Sequence, residues 1–162
     1  MNTKYRSFGL LLLLFSLISC SNTITSAPDV TFNTLTGQKI ALKDLLGKPV
    51  IVTFWATDCP ACIEEIPDLI DLYTQYHASG LEIIAVAMSY DPPNHVIDMT
   101  KIRQLPYNVA LDLTSEHAQA FGGVMFTPST FLIAPDGSVV KKQIGLFDRK
   151  KMKTTIQSLL KG

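Results

Sequence analysis

Residues 50–56, VIVTFWA, form an unbroken run of β-branched, aromatic and small apolar side chains. A strand with one wet face alternates polar with apolar, whereas an unbroken run is buried on both faces and needs packed layers above and below the sheet. A second run, LEIIAVAMSY at 81–90, and a third strand, NVALD at 108–112, follow with helical segments between them. This strand–helix–strand alternation restricts the chain to an α/β architecture with a covered sheet.

The other elements fit the same plan. A helix is predicted from about Pro60 to Ser79, because Ile63, Ile66, Ile70 and Tyr73 recur at three- and four-residue steps and Gly80 follows. DPPN ends the second strand before a helix from about His95 to Gln104, and SEHAQAFGG reads as a short helix capped by Ser115. STFLIAPDGSVVKKQIG reads as a hairpin turning at Asp136-Gly137. A last helix follows Asp148, with Met152, Ile156, Leu159 and Leu160 on one face. Upstream, DVTFNTLTGQKIAL gives two short strands around Thr36-Gly37, and KDLLGK a short helix closed by Gly47. The expected fold is a mixed central sheet flanked by helices, with an N-terminal hairpin.

The first twenty residues belong to export rather than to this domain. Lys4 and Arg6 precede an apolar run from Phe8 to Ile18, interrupted by Gly9 and Ser16. That run is shorter than the roughly 20 apolar residues of a spanning helix and suits a signal sequence. LISC at 17–20 resembles the lipobox of bacterial lipoproteins, which implies cleavage before Cys20 and lipid on its thiol. Ordinary cleavage would leave Cys20 as an odd free thiol, prone to random pairing in an oxidising compartment. The expected organisation is a signal over 1–19, a lipidated N-terminus and tether over 20–27, and one domain over 28–162. Beyond the signal, 12 basic residues stand against 14 acidic ones, a formal −2. Such a balance argues against nucleic acid as a partner, which requires a clustered basic footprint.

Chemistry concentrates at Cys59-Pro60-Ala61-Cys62, where the first buried strand gives way to its helix. In open α/β sheets, sites form at the carboxyl ends of strands. A helix start offers unpaired N–H groups and partial positive charge, which stabilise a thiolate. Pro60 suits the first helical position, since it has no N–H to leave unpaired. Three readings fit the pair: a redox disulfide with Cys59 as exposed attacker and Cys62 as resolver, a permanent structural disulfide, or two ligands of a metal such as copper. The helix-start address favours the first. A closed zinc site wants four ligands, and His77, His95 and His117 have no ligand spacing relative to the pair.

FWATDCPAC at 54–62, Pro67 five residues on, and TPSTFLI at 127–133 occur together in an order that resembles the thioredoxin superfamily. Within it the chain is similar to the TlpA-like thiol-disulfide oxidoreductases of bacterial envelopes, from about Pro28 to Leu160. The resemblance implies a thioredoxin fold with a central insertion, placed at residues 81–113. It implies no cofactor, and partners that are extracytoplasmic protein thiols and disulfides together with a membrane redox donor. It also implies that Thr127-Pro128 is a cis bond facing the cysteines, with Thr127, Pro128, Trp55 and Pro60 meeting the substrate. Thr53 stands where thioredoxins have a buried acid, and Glu65 matches the TlpA-like glutamate three residues after the second cysteine, which would carry the cysteine proton. Asp58 replaces the usual tryptophan before the first cysteine. As a carboxylate it should oppose a thiolate on Cys59 and make the pair more reducing, unless it only caps the helix.

The resulting expectation is a lipid-anchored thiol-disulfide oxidoreductase, more reductant than oxidant, with apocytochromes among its possible clients. Ser21 lacks the aspartate that retains lipoproteins at the inner membrane, which favours the outer membrane in a two-membrane cell. A peroxiredoxin-like peroxidase ranks low, because Ala56 stands where its threonine or serine is needed and position 52 is not proline. A copper-binding envelope lipoprotein is the rival of another class.

Overall fold

The computed structural model describes residues 24–161. The signal segment, Cys20 and the first part of the expected tether lie outside the described residues. β1 (Thr31–Asn33) and β2 (Lys39–Ala41) form the antiparallel N-terminal hairpin, with Gly37 at its turn in the left-handed region at φ 82°. The main sheet contains β3 (Val50–Trp55), β4 (Glu82–Ala87), β5 (Asn108–Leu111), β6 (Ser129–Ile133) and β7 (Val139–Ile144). Their order is β5-β4-β3-β6-β7; the first three are mutually parallel, and β6 and β7 run antiparallel to their neighbours.

Four helices cover this sheet: α1 (Pro60–Tyr76), α2 (Pro93–Ile102), α3 (Glu116–Ala120) and α4 (Arg149–Leu159). The segment 81–113, where the insertion was expected, holds β4, α2 and β5. β3 lies in the middle and is buried along its whole length, as its unbroken apolar run requires. Ile51 and Trp55 pack against α1 and α4 in one core with Ile66, Leu72, Met152 and Ile156. Val52 and Phe54 face the other core, built around Phe32, Phe121 and Phe131.

Two local expectations change. Ser115 sits at the amino end of α3, but it has φ 62° and makes no capping bond. Asp112 caps instead, accepting the N–H groups of His117 at 3.0 Å and Ala118 at 2.8 Å. Its two carboxylate oxygens reach two donors where a serine hydroxyl reaches one, and Ser115 Oγ lies 2.6 Å from Ser89 Oγ. Residues 25–27, expected as part of a tether, are instead held by the domain. Ala27 N–H donates to Gly137 at 2.8 Å and Val139 N–H to Thr25 at 2.9 Å, so residues 25–27 dock on the β6–β7 hairpin. Docking satisfies backbone groups that the start of an edge strand would otherwise leave open.

Candidate active site

β3 ends at Trp55, and the chain turns through Thr57 and Asp58 to enter α1 at Pro60. Cys59 is the N-cap, and its sulfur accepts the N–H of Cys62 at 3.1 Å. A cap normally uses an oxygen; here sulfur takes that place, so the atom that carries charge as a thiolate already faces a helix N–H. Cys59 and Cys62 are joined as a disulfide with Cα atoms 5.2 Å apart. Cys62 is buried at 3% exposure, whereas Cys59 is partly open and Pro60 is exposed between them. Asp58 is exposed and has no hydrogen bond to the helix, so the capping alternative fails: Cys59 occupies that position.

One turn into α1 the neighbouring glutamates diverge. Glu64 points to solvent and Glu65 is 3% exposed. Oε1 of Glu65 accepts the N–H of Phe147 at 3.1 Å, and Oε2 faces the hydroxyl of Thr130 at 3.4 Å, which is itself 2.9 Å from Thr53 Oγ1. Burial pushes the Glu65 carboxyl up to about 7, against the pull of those two hydrogen bonds. Glu65 and Cys62 line a common small cavity of about 10 Å³ with Thr53, Trp55 and Tyr107, close to the smallest that admits a water molecule. Burial and the Glu65 charge also raise the Tyr107 phenol well above its ordinary value. A proton can therefore pass between the buried sulfur and a carboxyl that titrates near neutrality.

Trp55 departs from expectation. It is 4% exposed, inside the core, and its indole N–H has no hydrogen-bond partner among the described residues. Alternation along β3 sends odd-numbered residues beneath α1, so Trp55 lines the cavity behind Cys62 and is not presented to a substrate.

Thr127-Pro128 is cis. The β3–β6 register reaches Phe54 opposite Ser129, and its continuation sets Pro128 beside Trp55, at the end of the sheet where the cysteines lie. Pro128 is buried and its carbonyl accepts Gly145 N–H at 2.8 Å. Among the described residues, no hydrogen bond uses the backbone N–H or C=O of Thr127. The same end carries six of the nine large exposed apolar side chains among the described residues, Met125, Phe126, Tyr90, Leu113, Ile144 and Leu146, enough to give the disulfide an apolar rim.

One positioning residue escaped the sequence reading. Asp91, 4% exposed in the loop after β4, accepts both the N–H and the hydroxyl of Thr57 at 2.6 Å. It fixes the turn two residues before Cys59. The Asp91-Pro92-Pro93 order reads only as a break between elements, and no periodicity marks such a contact across 34 residues. Among the described residues, no group of three or more His, Cys, Asp or Glu side chains is arranged to hold a metal ion.

Fold and disulfide together define a thiol-disulfide oxidoreductase of the thioredoxin superfamily, of the TlpA-like kind. The chain belongs to the Redoxin family, whose pattern matches residues 24–160. It is 35% identical over 133 residues to a thiol-disulfide oxidoreductase ResA of Bacillus cereus, covering 82% of this chain and 76% of that one. ResA of Bacillus subtilis is 34% identical over 121 residues, covering 75% and 66%. Among solved structures, a putative thioredoxin from Neisseria meningitidis superposes with a TM-score of 0.79 at 29% identity, covering 86% of this chain and 93% of that one. A thiol:disulfide interchange protein from Chlorobium tepidum gives 0.76 at 27%, covering 85% and 97%.

Proposed function

We propose that this protein reduces disulfides in extracytoplasmic polypeptides, held to a bacterial membrane by lipid on Cys20. The observation that carries the reading is the asymmetry of the cysteine pair: Cys59 partly open at the helix start, Cys62 buried beside Glu65. In the reduced protein the Cys59 thiolate attacks one sulfur of a client disulfide, forming a mixed disulfide and releasing the other client sulfur as thiolate. Glu65, as carboxylate, accepts the proton of Cys62. The Cys62 thiolate then attacks Cys59, which closes the pair and frees the second client sulfur with its electrons. A membrane-embedded dithiol donor then opens the Cys59–Cys62 bond by the same exchange in reverse, closing to a disulfide itself, and the proton on Glu65 returns to the Cys62 sulfur.

Thr127 supports the client's place, because its free N–H and C=O can pair with an extended segment laid beside Pro128. The apolar rim suits a client that is still unfolded, such as an apocytochrome, and Pro60 lies exposed between the sulfurs at its centre. Asp58 adds a small bias in the same direction, since an exposed carboxylate next to Cys59 opposes the thiolate and so disfavours the reduced pair. The ResA relatives are named for the same exchange chemistry. Ser21 after the anchor favours an outer membrane where the cell has two.

Equilibrating the pair of the full-length protein against graded thiol-disulfide buffers tests this. A potential near or below about −270 mV, that of thioredoxin, is expected. A value near −120 mV would make the protein a disulfide donor, and a pair that never equilibrates would leave a structural disulfide.

A further inference from the structure

Charge is unevenly placed along the chain beyond Cys20. Seven of its twelve bases fall between Lys141 and Lys161 with Asp148 as the only acid, a formal +6. Residues 21–140 hold five bases against thirteen acids, a formal −8. The fold then splits the basic segment between two surfaces. Arg149 turns to α1, where it pairs with Asp68 at 3.4 Å and with Asp71, and Lys153 donates to Gln75 at 2.8 Å. On the other flank of α4, Lys150 and Lys151 join Lys141 of β7 around an open groove of about 540 Å³, with Thr154 and Thr155 between them. Asp148, 3.6 Å from Lys151, is the only acid in that groove. Among the described residues, Lys141 and Lys150 have no carboxylate partner, while Lys142 turns to the opposite face of β7 and lies 5.4 Å over the Phe131 ring.

β7 is an edge strand, and it is also where the N-terminal segment docks, through Thr25 and Ala27. Four residues lie between Cys20 and Thr25, so the five steps from one to the other reach at most about 18 Å when fully extended. We infer that the β7–α4 face lies on the anionic headgroups of the membrane that holds the anchor. The inference rests on the lipid at Cys20 proposed above and adds an orientation to it. Each lysine brought to such a surface favours contact by about fivefold. β3 stands two strand spacings from β7, roughly 10 Å. The cysteine pair is then held low over the bilayer with the active end of the sheet facing along it, where a membrane-embedded dithiol donor can meet it. An acidic protein surface is the competing occupant.

Full-length protein, purified from bacterial membranes, is reconstituted into vesicles of phosphatidylcholine alone or mixed with phosphatidylglycerol. Its lysines are labelled with a water-soluble acetylating reagent and quantified site by site by mass spectrometry. Lys141, Lys150 and Lys151 should label about fivefold more slowly on the anionic vesicles, with Lys101 unchanged. High salt should remove the difference, and the double variant Lys150→Glu, Lys151→Glu should lose the protection at Lys141. Equal labelling on both vesicle types overturns the inference. Protection seen only in native membranes, and not on the lipid vesicles, overturns it too and assigns the face to a protein. Intact mass of the same sample reports acylation of Cys20, so loss of the anchor reading is seen separately. Unacylated protein is then added to the same vesicles from solution, where slower labelling supports the face and equal labelling rejects it.

Discussion

The two sides of β3 solve different problems. Val52 and Phe54 face a core of aromatic rings, with Phe54, Phe121 and Phe131 meeting edge to face at centroid separations of 4.9–6.0 Å. Ile51, Thr53 and Trp55 face the α1 side, where a carboxyl group, two threonine hydroxyls and an unpartnered indole N–H sit among isoleucines and leucines. The aromatic side is what burial alone favours, since packed rings exclude water and need no hydrogen bonds. The α1 side accepts a buried acid, which costs stability, and places it next to Cys62. A domain can carry such a compromise on one face because the opposite face supplies the packing.

The sharpest way to break this comparison is to damage the side that does no chemistry. Phe131→Ala should cost about 3–5 kcal/mol in denaturant unfolding, while exchange activity per folded molecule stays the same. Lost activity in the folded fraction would mean that the faces are not separable.

Glu65→Gln should do the reverse. The unfolded carboxyl loses its proton near 4.5 and the folded one near 7, so between those values the folded state binds more protons and stability falls as pH rises. The variant should remove that fall and be more stable than the parent at pH 8, by about 3 kcal/mol. Release of client from the mixed disulfide should slow at the same time. Unfolding measured from pH 4 to 8, beside single-turnover exchange, checks both halves.

Asp91→Asn removes one of two acceptors on Thr57 and should cost about 1–3 kcal/mol. It should also slow attack by Cys59, with a smaller loss in Thr57→Val, which keeps the backbone donor. Thermal melts and exchange rates read at equal folded fraction separate the two effects. The smallest change is expected at Asp58, which is exposed and screened by solvent. Asp58→Asn should move the potential of the pair slightly upward without changing the melting temperature, and an unmoved potential would end the electrostatic account of direction.

Much of this arrangement is legible in the sequence, because it depends on short spacings. The run VIVTFWA announces a strand buried on two faces, the four residues from Cys59 to Cys62 close a disulfide across one helical turn, and Asp136-Gly137 turns the last hairpin with Gly137 at φ 85°. Pro128 and Glu65 stand out only through likeness to a family: the stripe Ile63, Ile66, Ile70 and Tyr73 includes neither Glu64 nor Glu65, whereas the face that α1 buries runs through Cys62, Glu65, Ile66, Leu69 and Leu72.

Tertiary structure decided what depends on partners far away in the chain. Glu65 takes its backbone donor from Phe147, 82 residues on; Thr57 is held by Asp91, 34 residues on; residues 25–27 lie against Gly137 and Val139. Trp55, which the resemblance gave a place against the substrate, is enclosed because strand alternation turns it under a helix. Propensity and periodicity act over a few residues and so determine elements and the cysteine pair. The protonation of Glu65, the clamp on the redox turn and the burial of Trp55 follow from desolvation and from hydrogen bonds that exist only once the sheet and its helices have closed around them.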